Sequence, residues 1–425
     1  MTRPASAILS SALSMWLAVA GAEAADPEPA GIATAPVTEV EIGGLTYSEL
    51  GEYQQTQAFR QSGARCGTIP RLSSSAAALL AVSDCSMTQS DNLNDYPPVS
   101  TYYVPVWFHV IRKDDGVTGD VSDALLESQI EVMNEDLLAM AGTPGANGVN
   151  TRIEFYLAGV SRYDSTAYFD ECFYVGCSEA NGANSNEAFK NALNKRPDLY
   201  LNFYTKAWPD TPGLLGYATF PAEDAEAARD GVVINWRNVG RDAPAGAPYD
   251  QGRTGSHEVG HYIGLFHTFN SGCGTAGSPG CYSSGDLICD TNPESTKHFG
   301  CTASNTCTSA DPIENYMNYT DDTCMEEFTA EQARRARCSI VNYRSTMLTV
   351  TSLRSSGKIY VDGAHLGTEL GTSANPFNTV REAYDLAWDG AEITISGGSY
   401  PGTFTLTKQV VLSERAGTGT VTIGE

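Results

Sequence analysis

Three histidines, His257, His261 and His267, fall within the eleven residues "HEVGHYIGLFH" of a chain that holds six histidines in all. On a helix His257 and His261 stand one turn apart on one face, so two imidazoles converge on one point. Glu258 lies beside them, able to reach a metal-held water without being a ligand itself. Gly264 can take the positive φ that ends a helix sharply. The chain then turns back and delivers His267 as a third nitrogen ligand. Three neutral imidazoles and one open position make a catalytic zinc site rather than a closed structural one. Zinc so held activates water and polarises a scissile carbonyl. Glu258 would take the proton from that water and pass it to the leaving amine.

H-E-x-x-H alone arises by chance; the full H-E-x-x-H-x-x-G-x-x-H is far more specific, and a Met-turn is expected after it. Met317 supplies one, in the polar stretch "ENYMNYTDDTC" 50 residues beyond His267. "HEVGHYIGLFHTF", "GDLICDTNPE", "DPIENYMNYTDDTCMEEFT" and "EQARR" together resemble the short microbial branch of the pappalysin family of metzincin zinc proteases, over roughly residues 100–348. Thr268 and the N-Y-M-x-Y-x-D-D-x-C stretch carry the resemblance.

The resemblance implies a role for several residues. Met317 would floor the metal site, and Tyr319 would swing toward the metal or the oxyanion; a buried tyrosine bonded to backbone is the plainer reading of Tyr319. In metzincins an edge strand above the cleft pairs with extended substrate, and "LLGYATF" (214–220), with Leu214, Gly216 and Tyr217, is the candidate. Asp321 and Asp322 would wall the primed-side pocket and favour Arg or Lys there, against calcium binding or plain exposure. Asp286, Asp290, Thr291 and Glu294 offer hard oxygen ligands for calcium, against a solvated acidic loop. The insertion-like "GTAGSPGCYSSG", with Cys281, and the nearby Cys289 depart from the family pattern.

The elements that must hold these residues alternate between strand and helix. "TYYVPVWFHVIR" (101–112) suits a buried strand. "VSDALLESQIEVMNEDLLAM" (121–140) keeps helical spacing in its apolar residues. Further strands are expected at 152–160, 199–206, 214–220 and 231–236, with a short helix at 186–194. The alternation predicts an α/β layer with a mostly parallel sheet. With the resemblance, the fold class is an α/β (α+β) metzincin catalytic domain, carrying a twisted sheet, an active-site helix and a Met-turn, over residues 101–350. Residues 351–425 are a small β-rich region of glycine turns, with one helix-like piece at 378–388. They resemble the opening of a right-handed parallel β-helix, which needs at least three stacked repeats to bury its core.

Residues 1–24 read as a signal peptide, with Arg3, an apolar run too short to span a bilayer, and Ala22-Glu23-Ala24 as cleavage pattern. No other stretch is a transmembrane candidate, so a secreted, extracellular protein is expected. Residues 25–100 read as a pro-segment holding one strand in "TAPVTEVEIGGLTYSEL", broken at Pro97-Pro98, with a boundary anywhere over 71–101. The net charge of −25 argues against nucleic acid and anionic membranes as partners. Protein or peptide substrates remain.

Eleven cysteines are an odd number, and export favours disulfides for most of them. Cys172 with Cys177 is the easiest local pair. Cys66, in "SGARCGTIP", either pairs with Cys85 or is the spare thiol. A thiolate is a strong zinc ligand, so Cys66 could plug the open position and keep a zymogen silent, as R-C-G-T in the family's microbial pro-segments implies. The leading expectation is a secreted zinc endopeptidase. The alternative is a catalytically inert secreted binding or adhesion protein, but Glu258 and all three histidines are kept.

Overall fold

The computed structural model describes residues 40–42, 44–48, 50–62, 65–68, 85, 96–173, 187–275 and 280–424. The leader at 1–24 and the Arg71 region lie outside them. So does Cys177, the expected partner of Cys172, which is itself disulfide-bonded.

The frame of the site is a five-stranded sheet. Its strands are β3 (Tyr102–Arg112), β4 (Ile153–Asp164), β5 (Leu201–Lys206), β6 (Gly216–Ala218) and β7 (Val232–Asn235), in the order β4-β3-β5-β7-β6. Every pairing is parallel except β6 with β7, which leaves β6 as an antiparallel edge. Parallel strands are covered on both faces, and Val104 to Ile111 of β3 are accordingly all buried. The register slips between Val106 and Trp107, where Gly159 makes room: a Cβ there would lie 2.5 Å from the Trp107 ring.

The helix expected over 121–140 is α3 (Asp123–Leu137), capped by the Ser122 hydroxyl accepting from Leu125 N–H. Short helices α4 (Thr166–Phe169), α5 (Ala188–Leu193) and α6 (Pro221–Asp224) follow around the sheet. The active-site helix α7 (Arg253–Tyr262) packs with α3 and β6. Beyond it α8 (Ala330–Tyr343) begins with a Thr329/Gln332 capping box, and α9 (Met347–Ser356) ends on Gly357 in the left-handed region.

The segment expected to hold one strand holds a hairpin, β1 (Val40–Ile42) with β2 (Leu45–Tyr47), then α1 (Leu50–Gln54) and α2 (Gln57–Ser62). Gly43-Gly44 is a turn signal that should have split the strand; Gly44 has φ +77°. Leu50, Tyr53 and Phe59 of this piece share a core with Leu215, Ala245 and Tyr249 of the catalytic layer.

The C-terminal region stacks its strands in parallel. β8 (Lys358–Val361), β9 (Glu392–Ile395) and β11 (Val411–Glu414) form one sheet, and β10 (Gly398–Tyr400) pairs with β12 (Val421–Ile423). The helix-like piece is α10 (Val380–Leu386). Ile359, Val361, Leu386 and Ile393 pack in one cluster with Trp107, Ala158, Leu199 and Tyr200. This region therefore builds its core together with residues of the catalytic sheet.

Candidate metal centre

α7 is built to present imidazoles. Gly252 starts it with φ +81°, and His257 and His261 sit one turn apart with ring centroids 4.8 Å from each other. Gly264 ends it with φ +95°, and a Cβ there would lie 2.3 Å from Ser339 Oγ. The returning chain places His267 4.4 Å from the His261 ring and 5.2 Å from the His257 ring, centroid to centroid. Among the described residues, Cys66, His257, His261 and His267 form the one group whose ligand atoms converge as a metal site would require, all within 4.8 Å of one another and all buried.

The donor set fits a cation. Nδ1 of His257 lies 2.7 Å from Tyr316 O, and Nδ1 of His261 lies 2.7 Å from Leu265 O. Those nitrogens carry the ring proton, so both Nε2 lone pairs turn toward the shared centre. His257 Nε2 is buried with no hydrogen-bond partner, and His261 Nε2 faces His267 Nε2 at 3.0 Å. Burial first, then the Arg65 guanidinium, hold His257 well below the ordinary histidine range. Burial lowers His261 to about 3. Neutral imidazoles are what a zinc ion needs.

Glu258 points from the same helix at the edge strand. Burial pushes its carboxyl up to about 8, and Oε1 has no partner. Gly216 of β6 makes the space, since a Cβ there would lie 2.9 Å from Glu258 Cγ. Met317 is fully buried under the helix. Gly260 permits this contact, because a Cβ on it would sit 2.3 Å from Met317 Sδ. This glycine, inside "HEVGH", carried no signal in the sequence beyond its helical position.

Residues 65–68 occupy the cleft. Cys66 bridges Gly216 in parallel, Leu215 N–H donates to Arg65 O at 3.2 Å, and Gly67 N–H donates to Gly216 O at 2.9 Å. The Cys66 sulfur lies 3.5 Å from Glu258 Oε2 and accepts from Thr68 N–H at 3.3 Å. Thr68 Oγ1 also donates to Glu258 Oε2, at 3.1 Å. Cys66 is free, and Cys85 pairs with Cys338. The Cys66–Cys85 alternative is thereby corrected: Cys66 is drawn into the cleft while Cys85 is held on α8. Burial, with the Glu258 charge beside it, raises the thiol pKa.

Tyr319 is buried and its hydroxyl donates to the backbone oxygen of Cys66 at 3.1 Å. Arg65, given no role from the sequence, is 1% exposed. Its guanidinium donates to Asn318 O at 3.2 Å and lies 5.1 Å from the Tyr249 ring and 5.6 Å from the Tyr319 ring. Burial raises the Asp322 carboxyl to about 6, against the longer-range pull of Arg65 and then Arg253. Asp322 Oδ2 accepts from Gln251 and Arg253 amides, and Oδ1 has no partner. Asp321 instead accepts from Gly300 N–H at 3.1 Å. Tyr217 stands against Phe173 and Trp208, and Leu214, just before β6, is buried in the same core cluster.

Two carboxylates brace the site in ways the sequence did not disclose. Asp136 of α3 accepts from Ser256 Oγ at 2.6 Å and from the Tyr316 hydroxyl at 2.7 Å, tying α7 to the Met-turn. Glu294 accepts from Thr268 Oγ1 at 2.6 Å and from Asn318 Nδ2 at 2.9 Å, linking the residues that follow His267 and Met317. Asp286 accepts from Thr291 Oγ1 at 2.7 Å, and Asp290 accepts from Thr329 Oγ1 and Glu331 N–H at the start of α8. The acidic loop is thus engaged with the protein itself. Cys281 pairs with Cys289 across the insertion, and Cys273–Cys307 and Cys301–Cys324 flank it.

The peptidase family described as pregnancy-associated plasma protein-A matches residues 195–341. An extracellular metalloprotease of Verticillium alfalfae is 34% identical over 278 residues, which cover 63% of this chain and 84% of that protein. Extracellular metalloprotease 1 of Coccidioides posadasii is 34% identical over 241 residues, covering 55% and 74%. Mature mirolysin of Tannerella forsythia in complex with a cleaved peptide is similar at 34% identity, with a TM-score of 0.45, over 56% of this chain and 92% of that one.

Proposed function

Because the chain belongs to the pappalysin family of metzincin zinc metallopeptidases, we propose that it is a secreted endopeptidase held latent by its own residues 65–68. The single observation that carries the proposal is the convergence of Cys66 with His257, His261 and His267 on one buried point. Secretion is supported by the extracellular relatives and by the leader pattern at 1–24.

In this reading His257, His261 and His267 hold zinc. Bound there, zinc supplies Lewis acidity toward a water and the substrate carbonyl. Glu258 takes the proton of the attacking water on its carboxylate and delivers it to the leaving amine. Its elevated pKa, set by burial, suits a group that must both accept and return a proton. The Tyr319 hydroxyl, already directed at a backbone carbonyl oxygen, donates to the developing oxyanion. β6 binds extended substrate through the backbone groups of Leu215 and Gly216 that residues 65–67 now use.

Arg65 marks the specificity pocket. A guanidinium between Tyr249 and Tyr319, within the field of Asp322, is the group the pocket accommodates, so peptides with Arg on the primed side, and Lys less well, are the proposed substrates. Calcium at the acidic loop is the remaining part of the reading. It rests on the oxygen-bearing side chains Asp286, Asp290, Thr291 and Glu294 that share one short loop, which suit a hard cation. Loss of thermal stability in EGTA, at a dose that spares zinc, tests it.

The experiment for the function is a cleavage profile on a peptide library with the parent and with Cys66→Ala, each with and without a zinc chelator. Cys66→Ala is expected to cleave earlier than the parent, though not freely, because Arg65 and Thr68 still occupy the cleft. A variant as latent as the parent removes the thiol from the mechanism. Cleavage that survives chelation removes zinc from it.

A further inference from the structure

Cys85 is joined to Cys338 of α8, and both residues are almost wholly buried, at 3% and 2% exposure. Asn342, one turn along α8, donates to the Tyr96 hydroxyl at 3.1 Å and lies 3.6 Å from the Cys85 sulfur. Cys85 and Tyr96 are therefore fastened to the catalytic domain itself. Residues 50–68 are held differently, over the cleft, by the Leu50, Tyr53 and Phe59 core and by the Arg65, Cys66 and Thr68 contacts. The sequence break at Pro97-Pro98 suggests a natural edge for a removable segment, and Val99 there is 79% exposed. The disulfide lies on the N-terminal side of that edge.

We infer that Cys85 divides cuts that activate the enzyme from cuts that do not. Hydrolysis of a peptide bond between Thr68 and Cys85 frees the piece that carries Cys66. Hydrolysis between Cys85 and Tyr102 leaves that piece bonded to Cys338, with the cleft still filled. Each cut consumes one water and yields a new carboxylate and a new amine, and the disulfide is unchanged by either. This inference rests on the latency reading given above.

The physical argument is one of effective concentration. Cys66 is 19 residues from Cys85 along one chain, so a plug still joined through Cys85 rebinds intramolecularly. After a downstream cut the plug remains in the millimolar range at the cleft. After an upstream cut rebinding becomes bimolecular, so at micromolar enzyme the local concentration falls by about 1,000-fold. The burial of both sulfur-bearing residues keeps reductant away, so the tether outlasts the cut.

The test uses the full-length chain with all its cysteines. A recognition sequence for a viral protease is inserted either between Ser74 and Ser75 or between Val99 and Ser100. Each protein is cut, and two things are measured: initial hydrolysis of a quenched fluorescent peptide, and hydrogen-exchange protection of residues 50–62. The upstream cut is expected to raise the rate at least about tenfold and to expose the amides of α1 and α2. The downstream cut is expected to leave rate and protection as in the uncut chain, until Cys338→Ser is added and both change. Equal activation by the two cuts overturns the inference, as does activation by neither. An uncut chain as active as the cut ones overturns the latency reading on which it rests.

Discussion

Arg65→Ala tests how much of the latency lies in the specificity pocket rather than in the thiol. Arg65 is 1% exposed and its guanidinium donates to a buried carbonyl, Asn318 O, at 3.2 Å. A charged hydrogen bond of that kind contributes about 1.5–3 kcal/mol. Two desolvated aromatic faces, Tyr249 and Tyr319, add about 0.5–2 kcal/mol each. Against this stand the desolvation of the guanidinium and the freedom of Asp322, its carboxyl already raised to about 6, to protonate once the cation has gone. A net loss of about 3 kcal/mol corresponds to a dissociation constant higher by roughly 100-fold. The assay is inhibition in trans: a synthetic peptide of residues 57–68 against the mature enzyme, compared with the same peptide carrying Arg65→Ala. Both peptides keep Cys66, so the ratio isolates the arginine. Arg65→Lys keeps the charge but loses the planar stack, and should fall between the two. A change of less than about threefold in the inhibition constant would refute the reasoning, since the charged hydrogen bond alone, at about 1.5 kcal/mol or more, corresponds to more than about tenfold.

Three further outcomes are expected. Glu258→Ala should lower kcat by about 10²–10⁴-fold while zinc content, measured by elemental mass spectrometry, stays at the parent value; joint loss of zinc and fold would make its role structural. Asp322→Asn keeps an oxygen for the Gln251 and Arg253 amides but loses the negative charge on which Arg65 acts. The ratio of kcat/KM for a primed-side Arg peptide over its norleucine analogue should then fall by roughly 10–100-fold, as for a buried charge pair worth a few kcal/mol. Gly260→Ala sets a Cβ 2.3 Å from Met317 Sδ, and overpacking of this kind costs about 1–3 kcal/mol. Calorimetry should show a lower Tm, whereas an unchanged Tm with unchanged activity would mean that the Met-turn gives way freely.

The parts of the site that follow one another along the chain were legible in the sequence, and those assembled across the fold were not. His257, Glu258 and His261 share one helical turn, and Gly264 reverses the chain toward His267, so spacing alone placed four groups. Met317 was found because a motif predicts its kind, though the reason it fits, the bare Gly260 face, needs the packed structure. Arg65 and Asp322 are 257 residues apart along the chain, and neither has a periodic neighbour that points to the other. Asp136 is one of five acidic residues on α3; only the approach of α3 to α7 gives it Ser256 and Tyr316. The Cys85–Cys338 bridge spans 253 residues, and eleven cysteines admit far too many pairings for spacing to select it.

That distinction also explains why the blocked state depends on more than a thiol. Cys66 and Thr68 both reach the same oxygen of Glu258, at 3.5 and 3.1 Å, and Thr68 is in turn fixed by Ala218 N–H of β6 at 2.8 Å. One oxygen of Glu258 is thus already engaged, whatever sits at the fourth metal position, while Oε1 has no partner. Gly216 allows this because a side chain on the edge strand would meet Glu258 first. The same bare stretch of β6 that would receive a substrate backbone holds residues 65–68, with Arg65 against Tyr249 and Tyr319, Cys66 beside the three histidines and Thr68 on Glu258. On the proposed reading, latency and substrate recognition would then draw on one set of groups, and any residue that tightens the first by a shared contact is expected to tighten the second.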